Sequence, residues 1–241
     1  ALFIFYERNA IMDEALIRPR MLLGEQAMEK LKSAHVAVFG LGGVGSYTAE
    51  CLARSGVGEL TLIDSDSVAE SNINRQLLAL HSSVGRTKVG VAIERYLDIN
   101  PELEIHAFDE FILPENIDSF FDKLLVQPDF VADCIDTVSG KLAIIEKCKK
   151  LGIPVISSMG TGNKLHPEMF RISDINKTSV CPLCRVMRKE LRDRNIPDLP
   201  VLFSEEEPIK NGDTVIGSIS TVPSVAGLLI ANYIIMKLVN G

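Results

Sequence analysis

Six residues near the start of the chain, Gly40-Leu41-Gly42-Gly43-Val44-Gly45, restrict the fold more than any other stretch. They follow a continuous apolar run, residues 34–39 (AHVAVF). They open residues 43–56, where Val44, Ala49, Leu52 and Ala53 recur at helical spacing before the Gly56/Gly58 stop. A run apolar on both faces is what a buried parallel strand requires. Glycines in the turn after it let the backbone bend tightly and approach an anion, which the free N–H groups and dipole of the next helix attract. A second strand, residues 59–64 (ELTLID), ends in Asp64, placing a carboxylate where ribose hydroxyls can donate to it. This unit binds a nucleotide. On the motif alone the loop suits the pyrophosphate of NAD as well as the triphosphate of ATP.

The alternation continues. Residues 87–99 read as a helix that stops before Pro101, 103–108 as a strand, 114–125 as an amphipathic helix, 129–135 (DFVADCI) as a buried strand, 139–151 as a helix and 154–158 as a strand. The pattern predicts an α/β fold: a Rossmann-like, doubly wound, mostly parallel sheet with helices on both faces. The periodicity then breaks. Residues 174–213 mix Pro182, Pro197, Pro200 and Pro208 with charge runs and are expected to be a mobile crossover or substrate segment with one basic helix near 183–194. Residues 201–204 and 214–220 read as short antiparallel strands around the Asn211-Gly212 turn. Residues 222–239 are apolar but interrupted by Ser224, Asn232 and Lys237, so a core or dimer-interface helix is expected rather than a membrane span. The expected organisation is an N-terminal extension, 1–17, followed by a single domain, 18–241. Met12 is an alternative start.

Composition enters as a filter on partners. With 46% hydrophobic and 24% charged residues the chain is neither disordered nor a disulfide scaffold. A net charge of −7 argues against a protein that coats nucleic acid or lies on a membrane, while leaving room for a local basic patch. The five cysteines are an odd number and read as free thiols of a reducing, cytoplasmic protein. No N-terminal stretch has the form of a signal peptide.

Cations follow the nucleotide unit. Asn72-Ile73-Asn74-Arg75-Gln76 comes soon after Asp64, and Gly85-Arg86-Thr87-Lys88 a turn later. Arg75 offers a bidentate fork to phosphate oxygens and Lys88 a point charge at a helix start; a solvated loop and an ordinary capped helix are the alternative. Asp136 lies just past the 129–135 strand, at the ligand-binding edge of the sheet. It reads as a Mg²⁺ ligand or as a helix N-cap. Taken together, the glycine loop, the 72–76 segment, Lys88 and Asp136 favour ATP with Mg²⁺.

The motifs GLGGVG (40–45), LIDSD (62–66), SNINRQ (71–76), GRTK (85–88) and DCIDT (133–137) resemble the adenylating family of ubiquitin-activating enzymes and their bacterial relatives ThiF, MoeB and HesA. The resemblance covers about residues 18–241. LLGEQAMEKL (22–31), SGVGELTLID (55–64) and the lack of paired CxxC motifs are most similar to the branch that dehydrates threonylcarbamoyladenosine in tRNA. The resemblance implies that Gly40, Gly42, Gly43 and Gly45 cradle ATP, that Asp64 holds its ribose, and that Asn72, Arg75, Gln76 and Lys88 contact the nucleotide. It implies Mg²⁺ at Asp136. It also implies a homodimer with shared active sites, in which Arg18, or alternatively Arg20, reaches into the neighbouring subunit. The implied reaction is attack of a carboxylate on the α-phosphorus of ATP, giving an acyl-adenylate. In the tRNA branch the carboxylate belongs to N6-threonylcarbamoyladenosine in the anticodon loop, and an atom of the same modification displaces AMP and closes a ring. An internal nucleophile makes a thioester cysteine unnecessary. The alternative within the family is adenylation of the C-terminus of a ubiquitin-like sulfur carrier, and a cysteine desulfurase or sulfur-acceptor protein is a further partner to consider. An NAD-dependent oxidoreductase and a nucleotide-sensing module leave Arg75, Lys88 and Asp136 unexplained.

Two features stand apart from the nucleotide unit. Cys181-Pro182-Leu183-Cys184 is a CxxC, open to zinc, redox or incidental readings; His166 would be only a third zinc ligand, and residues 217–223 hold no second CxxC. Arg185, Arg188, Lys189 and Arg192 recur at i, i+3, i+4 and i+7, with Lys177 and Arg194 flanking. That stripe is either a solvated helix face or, given the resemblance, a contact for tRNA phosphates.

Overall fold

The computed structural model describes residues 14–210, 212 and 215–241. Its sheet has seven strands: β1 (His35–Phe39), β2 (Glu59–Ile63), β3 (Glu104–Phe108), β4 (Phe130–Asp133), β5 (Val155–Ser158), β6 (Phe170–Asp174) and β7 (Pro200–Ser204). The spatial order is β3-β2-β1-β4-β5-β7-β6. All neighbours pair in parallel except β6, which runs antiparallel to β7 at the edge.

Every residue of β1 is buried, which explains why its sequence is apolar after His35. Successive side chains point to opposite faces. Val36 and Val38 join a core made with α2 (Glu25–Ser33), α3 (Gly45–Arg54), α4 (Lys88–Ile99) and α8 (Thr221–Asn240). Ala37 and Phe39 join a second core, made with α5 (Ile117–Lys123), α6 (Val138–Leu151) and α7 (Pro182–Asp193). A short α1 (Ile17–Leu23) precedes α2 and packs on it. The expected doubly wound α/β architecture is therefore present.

α8 is long and apolar enough to cross a membrane by length and composition, with a mean hydropathy of 1.8. Its inner face, including Ala226, Ile230 and Ile234, is buried against the sheet core, and Thr48 Oγ1 donates to the Gly227 carbonyl at 3.1 Å, joining it to α3.

Three local expectations are corrected. Residues 215–220 form no strand: Gly217 exchanges hydrogen bonds with Asn163 (2.8 and 2.6 Å) and the Ser218 carbonyl accepts from Asn74 at 2.9 Å, so this stretch pairs with loops instead. The antiparallel partner of β7 is β6, which the sequence pattern does not mark. The amphipathic helix at 114–125 is shorter, because the Asn116 side chain accepts from Leu113 N–H (2.8 Å) and turns the chain before α5 begins.

Candidate active site

The carboxyl ends of β1, β2, β4 and β5 open onto one cavity of about 530 Å³. It lies where the strand order turns, β2 and β3 to one side of β1 and β4 to the other. Open α/β sheets bind ligands at such a switch point, in clefts of this size. Gly40, Gly42, Gly43, Asp64, Arg75, Gln76, Lys88 and Asp136 all line it. Sequence-distant residues complete the walls: Gly160, Thr161 and Gly162 after β5, Leu183 from α7 and Pro223 from α8.

The glycines do different work. A Cβ on Gly45 would lie 1.8 Å from the Gly40 carbonyl oxygen, so only glycine lets the loop close on itself at the start of α3. Gly45 thus stands behind the lining. A Cβ on Gly42 would meet nothing nearer than Gln76 Nε2 at 3.8 Å. The protein's own packing does not require glycine there, which leaves the cavity side as the reason: a cradle for a closely approaching ligand.

Asp64 is buried and already occupied. Its carboxylate accepts Leu41 N–H at 2.6 Å and Asp66 N–H at 2.8 Å, so it braces the glycine loop from the end of β2. Lys88, at the first position of α4 and 3% exposed, sets its ammonium 2.7 Å from Asp66 and 3.5 Å from Asp64. The flanking carboxylates offset the cost of burying this ammonium. Arg75 is oriented by Nη1, which donates to the Ser71 carbonyl (2.9 Å) and Asn74 Oδ1 (2.8 Å). Asn72 does not line the cavity; its Oδ1 accepts Ala69 N–H at 3.0 Å and closes the turn that leads to Arg75. Asp136 is exposed to the cavity, with Thr137 Oγ1 3.5 Å away. The N-cap position of α6 is Thr137. The carboxylate of Asp136 is therefore not spent as a cap.

A network behind Asp136 escaped the sequence reading. Asp133 ends β4 and Lys141 lies in α6, and both side chains are completely buried. Lys141 Nζ donates to Asp133 Oδ2 at 3.0 Å and to the Ile135 carbonyl at 2.9 Å, and Ser157 Oγ donates to Asp133 at 2.6 Å. The pair pins the loop that carries Asp136. A carboxylate inside an apolar strand was the available signal, because a buried charge needs a partner.

The cysteines divide by environment. Burial pushes the Cys134 thiol, on the cavity wall, up to about 12, so it stays protonated. Cys181 is the N-cap residue of α7, and its sulfur is surrounded by donors: the Cys184 thiol and the amides of Cys184, Gly160 and Leu183. These hold Cys181 well below the usual thiol range, although it is 3% exposed. Burial lowers the nearby Lys164 ammonium, which donates to the Glu206 carbonyl.

The basic stripe of α7 splits. Arg185, Lys189 and Arg192 are exposed, Lys189 beside Asp193 at 3.3 Å. Arg188 turns inward and donates to the Thr178 carbonyl (3.1 Å) and hydroxyl, because it borders the buried Cys184–Met187–Leu191 face. Arg18 is exposed on α1, outside the cavity lining.

Known proteins share this fold. The chain is 41% identical over 239 residues to the tRNA threonylcarbamoyladenosine dehydratase of Bacillus subtilis, covering 92% of this chain and 93% of that one. The structure of Escherichia coli tRNA N6-threonylcarbamoyladenosine dehydratase in complex with ATP matches with a TM-score of 0.88 at 32% identity, over 95% of each chain. Its complex with AMP matches with a TM-score of 0.89 over the same shares. The model of the ThiF family matches residues 16–241, and the chain belongs to that family.

Proposed function

We propose that the chain carries out the ATP-dependent dehydration of N6-threonylcarbamoyladenosine in the tRNA anticodon loop. The observation that carries this reading is the meeting of Arg75, Lys88 and Asp136 with the glycine loop in one cavity, in a fold whose relatives were solved with ATP and with AMP. The threonyl carboxylate attacks the α-phosphorus, pyrophosphate leaves, and an atom of the same modification displaces AMP to close the ring, with net loss of water. The work of the protein is positioning and electrostatics. The amides around Gly42 receive phosphate oxygens. Arg75 and Lys88 offset the charge that develops as pyrophosphate departs, and Asp66, which is largely exposed, can yield the Lys88 ammonium to a phosphate oxygen. Asp64 acts through the loop it braces. A carboxylate exposed to the cavity beside substrate phosphates is a donor set Mg²⁺ uses, so Asp136 would hold the ion, which supplies charge neutralisation.

The active unit is a homodimer in the cytoplasm. Ile17, Met21 and Leu22 on α1 are exposed, the last two at 80% and 88%, and form an apolar face for a second copy. Arg18 lies within that face, placed to reach a neighbour's cavity. On the outer surface Arg185, Lys189 and Arg192 contact tRNA phosphates, while the cavity reads the modified base.

The test is incubation with ATP, Mg²⁺ and tRNA with or without the threonylcarbamoyl group, reading AMP and nucleoside mass. AMP should form only with the modified tRNA, whose adenosine then loses one water. AMP formed equally with unmodified tRNA, or only with a small ubiquitin-like carrier protein, would overturn the reading in favour of carrier adenylation.

A further inference from the structure

Four side chains of metal-ligand type meet at the amino-terminal edge of the sheet, the end opposite the nucleotide cavity. His35, Glu59 and Glu104 open β1, β2 and β3 and stand in register across the three strands. His106 is two residues along β3, so its side chain leaves from the same face as Glu104. Glu59 Oε1 lies 2.9 Å from His106 Nε2 and 3.4 Å from His35 Nδ1, and Glu104 Oε1 lies 3.4 Å from His106 Nε2. Ligands bound tetrahedrally at about 2.0–2.1 Å stand about 3.3–3.4 Å apart. Three of the six edges fall near that value, the ligand atoms of Glu59, Glu104 and His106 all lie within 4.8 Å of one another, and His35 joins them through its contact with Glu59.

His35 supplies the independent observation. It is 4% exposed, its Nε2 is 2.7 Å from Thr61 Oγ1, and its buried Nδ1 has no hydrogen-bond partner. That nitrogen faces the Glu59 carboxylate at 3.4 Å with no hydrogen bond between them. When Nε2 donates to Thr61, Nδ1 presents a lone pair to a carboxylate oxygen, and two acceptors face one another with no proton between them. A cation in the gap resolves the conflict, and Thr61 then plays the part of the partner that fixes the tautomer of a ligating histidine.

We propose that His35, Glu59, Glu104 and His106 bind one divalent transition-metal ion, Zn²⁺ by donor set and spacing. Imidazole and carboxylate donors in a compact tetrahedral arrangement suit Zn²⁺ rather than Mg²⁺ or Ca²⁺, which take oxygen ligands in larger shells. The ion ties together the first three parallel strands, far from the adenylation chemistry.

The experiment uses the full chain, stripped with chelator and free of nucleotide, titrated calorimetrically with Zn²⁺ and spectroscopically with Co²⁺. One Zn²⁺ per chain is expected, with a raised Tm. The Co²⁺ spectrum should be tetrahedral without a thiolate charge-transfer band, which separates this site from Cys181 and Cys184. His106→Ala and Glu104→Gln should each weaken Zn²⁺ binding at least about tenfold and remove the Tm gain. Glu104 is two-thirds exposed, so its variant keeps the fold, and circular dichroism checks the other. No Zn²⁺ uptake, uptake left within about twofold by both variants, or a thiolate band in the Co²⁺ form overturns the proposal.

Discussion

Replacing Lys141 with methionine tests the reasoning about the buried charge pair behind the cavity. Lys141 and Asp133 are both fully buried and 3.0 Å apart. At an effective dielectric of about 20 their attraction is on the order of 5 kcal/mol, offset by the cost of removing both charges from water. Methionine keeps the volume but leaves Asp133 with only the Ser157 hydroxyl at 2.6 Å and a long 3.4 Å contact from Ile135 N–H. Removing one partner of a buried pair costs about 3–5 kcal/mol. In a chain of 241 residues, each kcal/mol lowers Tm by about 2–4 °C, so a fall of about 6–20 °C is expected by thermal circular dichroism. Lys141 also holds the Ile135 carbonyl, one residue before Asp136. AMP formation should therefore slow as well, toward the ~100-fold that a 1 Å misplacement costs. Adding Asp133→Asn removes the orphaned charge and should recover most of the lost stability. If Lys141→Met shifts Tm by less than about 2 °C, or the double variant is less stable than the single one, the pair is not coupled as described.

Gly42→Ala should fold with an unchanged melting temperature yet bind ATP weakly by calorimetry, whereas Gly45→Ala, with its Cβ 1.8 Å from a carbonyl oxygen, should be destabilised before any binding is measured. Arg192→Ala should lower the salt slope of tRNA binding by roughly 0.7–0.9, the share of a single neutralised phosphate. Arg188→Ala, which breaks the bond to Thr178, should instead lower thermal stability. For Glu50, burial pushes the carboxyl up, but hydrogen bonds from Arg95 and Arg54 outweigh it and leave its folded pKa below the ordinary value. The stability it contributes is therefore present above the unfolded pKa and lost as pH falls through the folded one. Arg95→Ala should flatten the acid limb of urea-midpoint measurements, and an unchanged limb would contradict the assignment.

Much of the architecture was legible because one force dominates it: strands buried on both faces must be apolar throughout, and helices between them must show a 3.6-residue stripe. Gly40 to Gly45, Lys88 and Asp136 were legible for a second reason, since the ends of parallel strands gather at one edge. β6 (FRISD) was missed because an edge strand with partly exposed residues carries little apolar signal. Residues 214–220 (TVIGSIS) read as a strand from their β-branched content, but Asn163 and Asn74 capture the backbone of the described part. The direction of Arg188 depends on how far α7 is rotated on the sheet. The pairing of Lys141 with Asp133 depends on how α6 crosses β4. Neither is written in local spacing.

The bond between Thr48 and Gly227 joins residues 179 positions apart, and Pro223 closes the wall beside the glycine loop. During synthesis on the ribosome the nucleotide loop emerges early and waits for α8. A partly made chain therefore has the phosphate cradle without its cover, and bare apolar surface on α3 where α8 will dock. Such an intermediate is a natural client for a chaperone until α8 arrives.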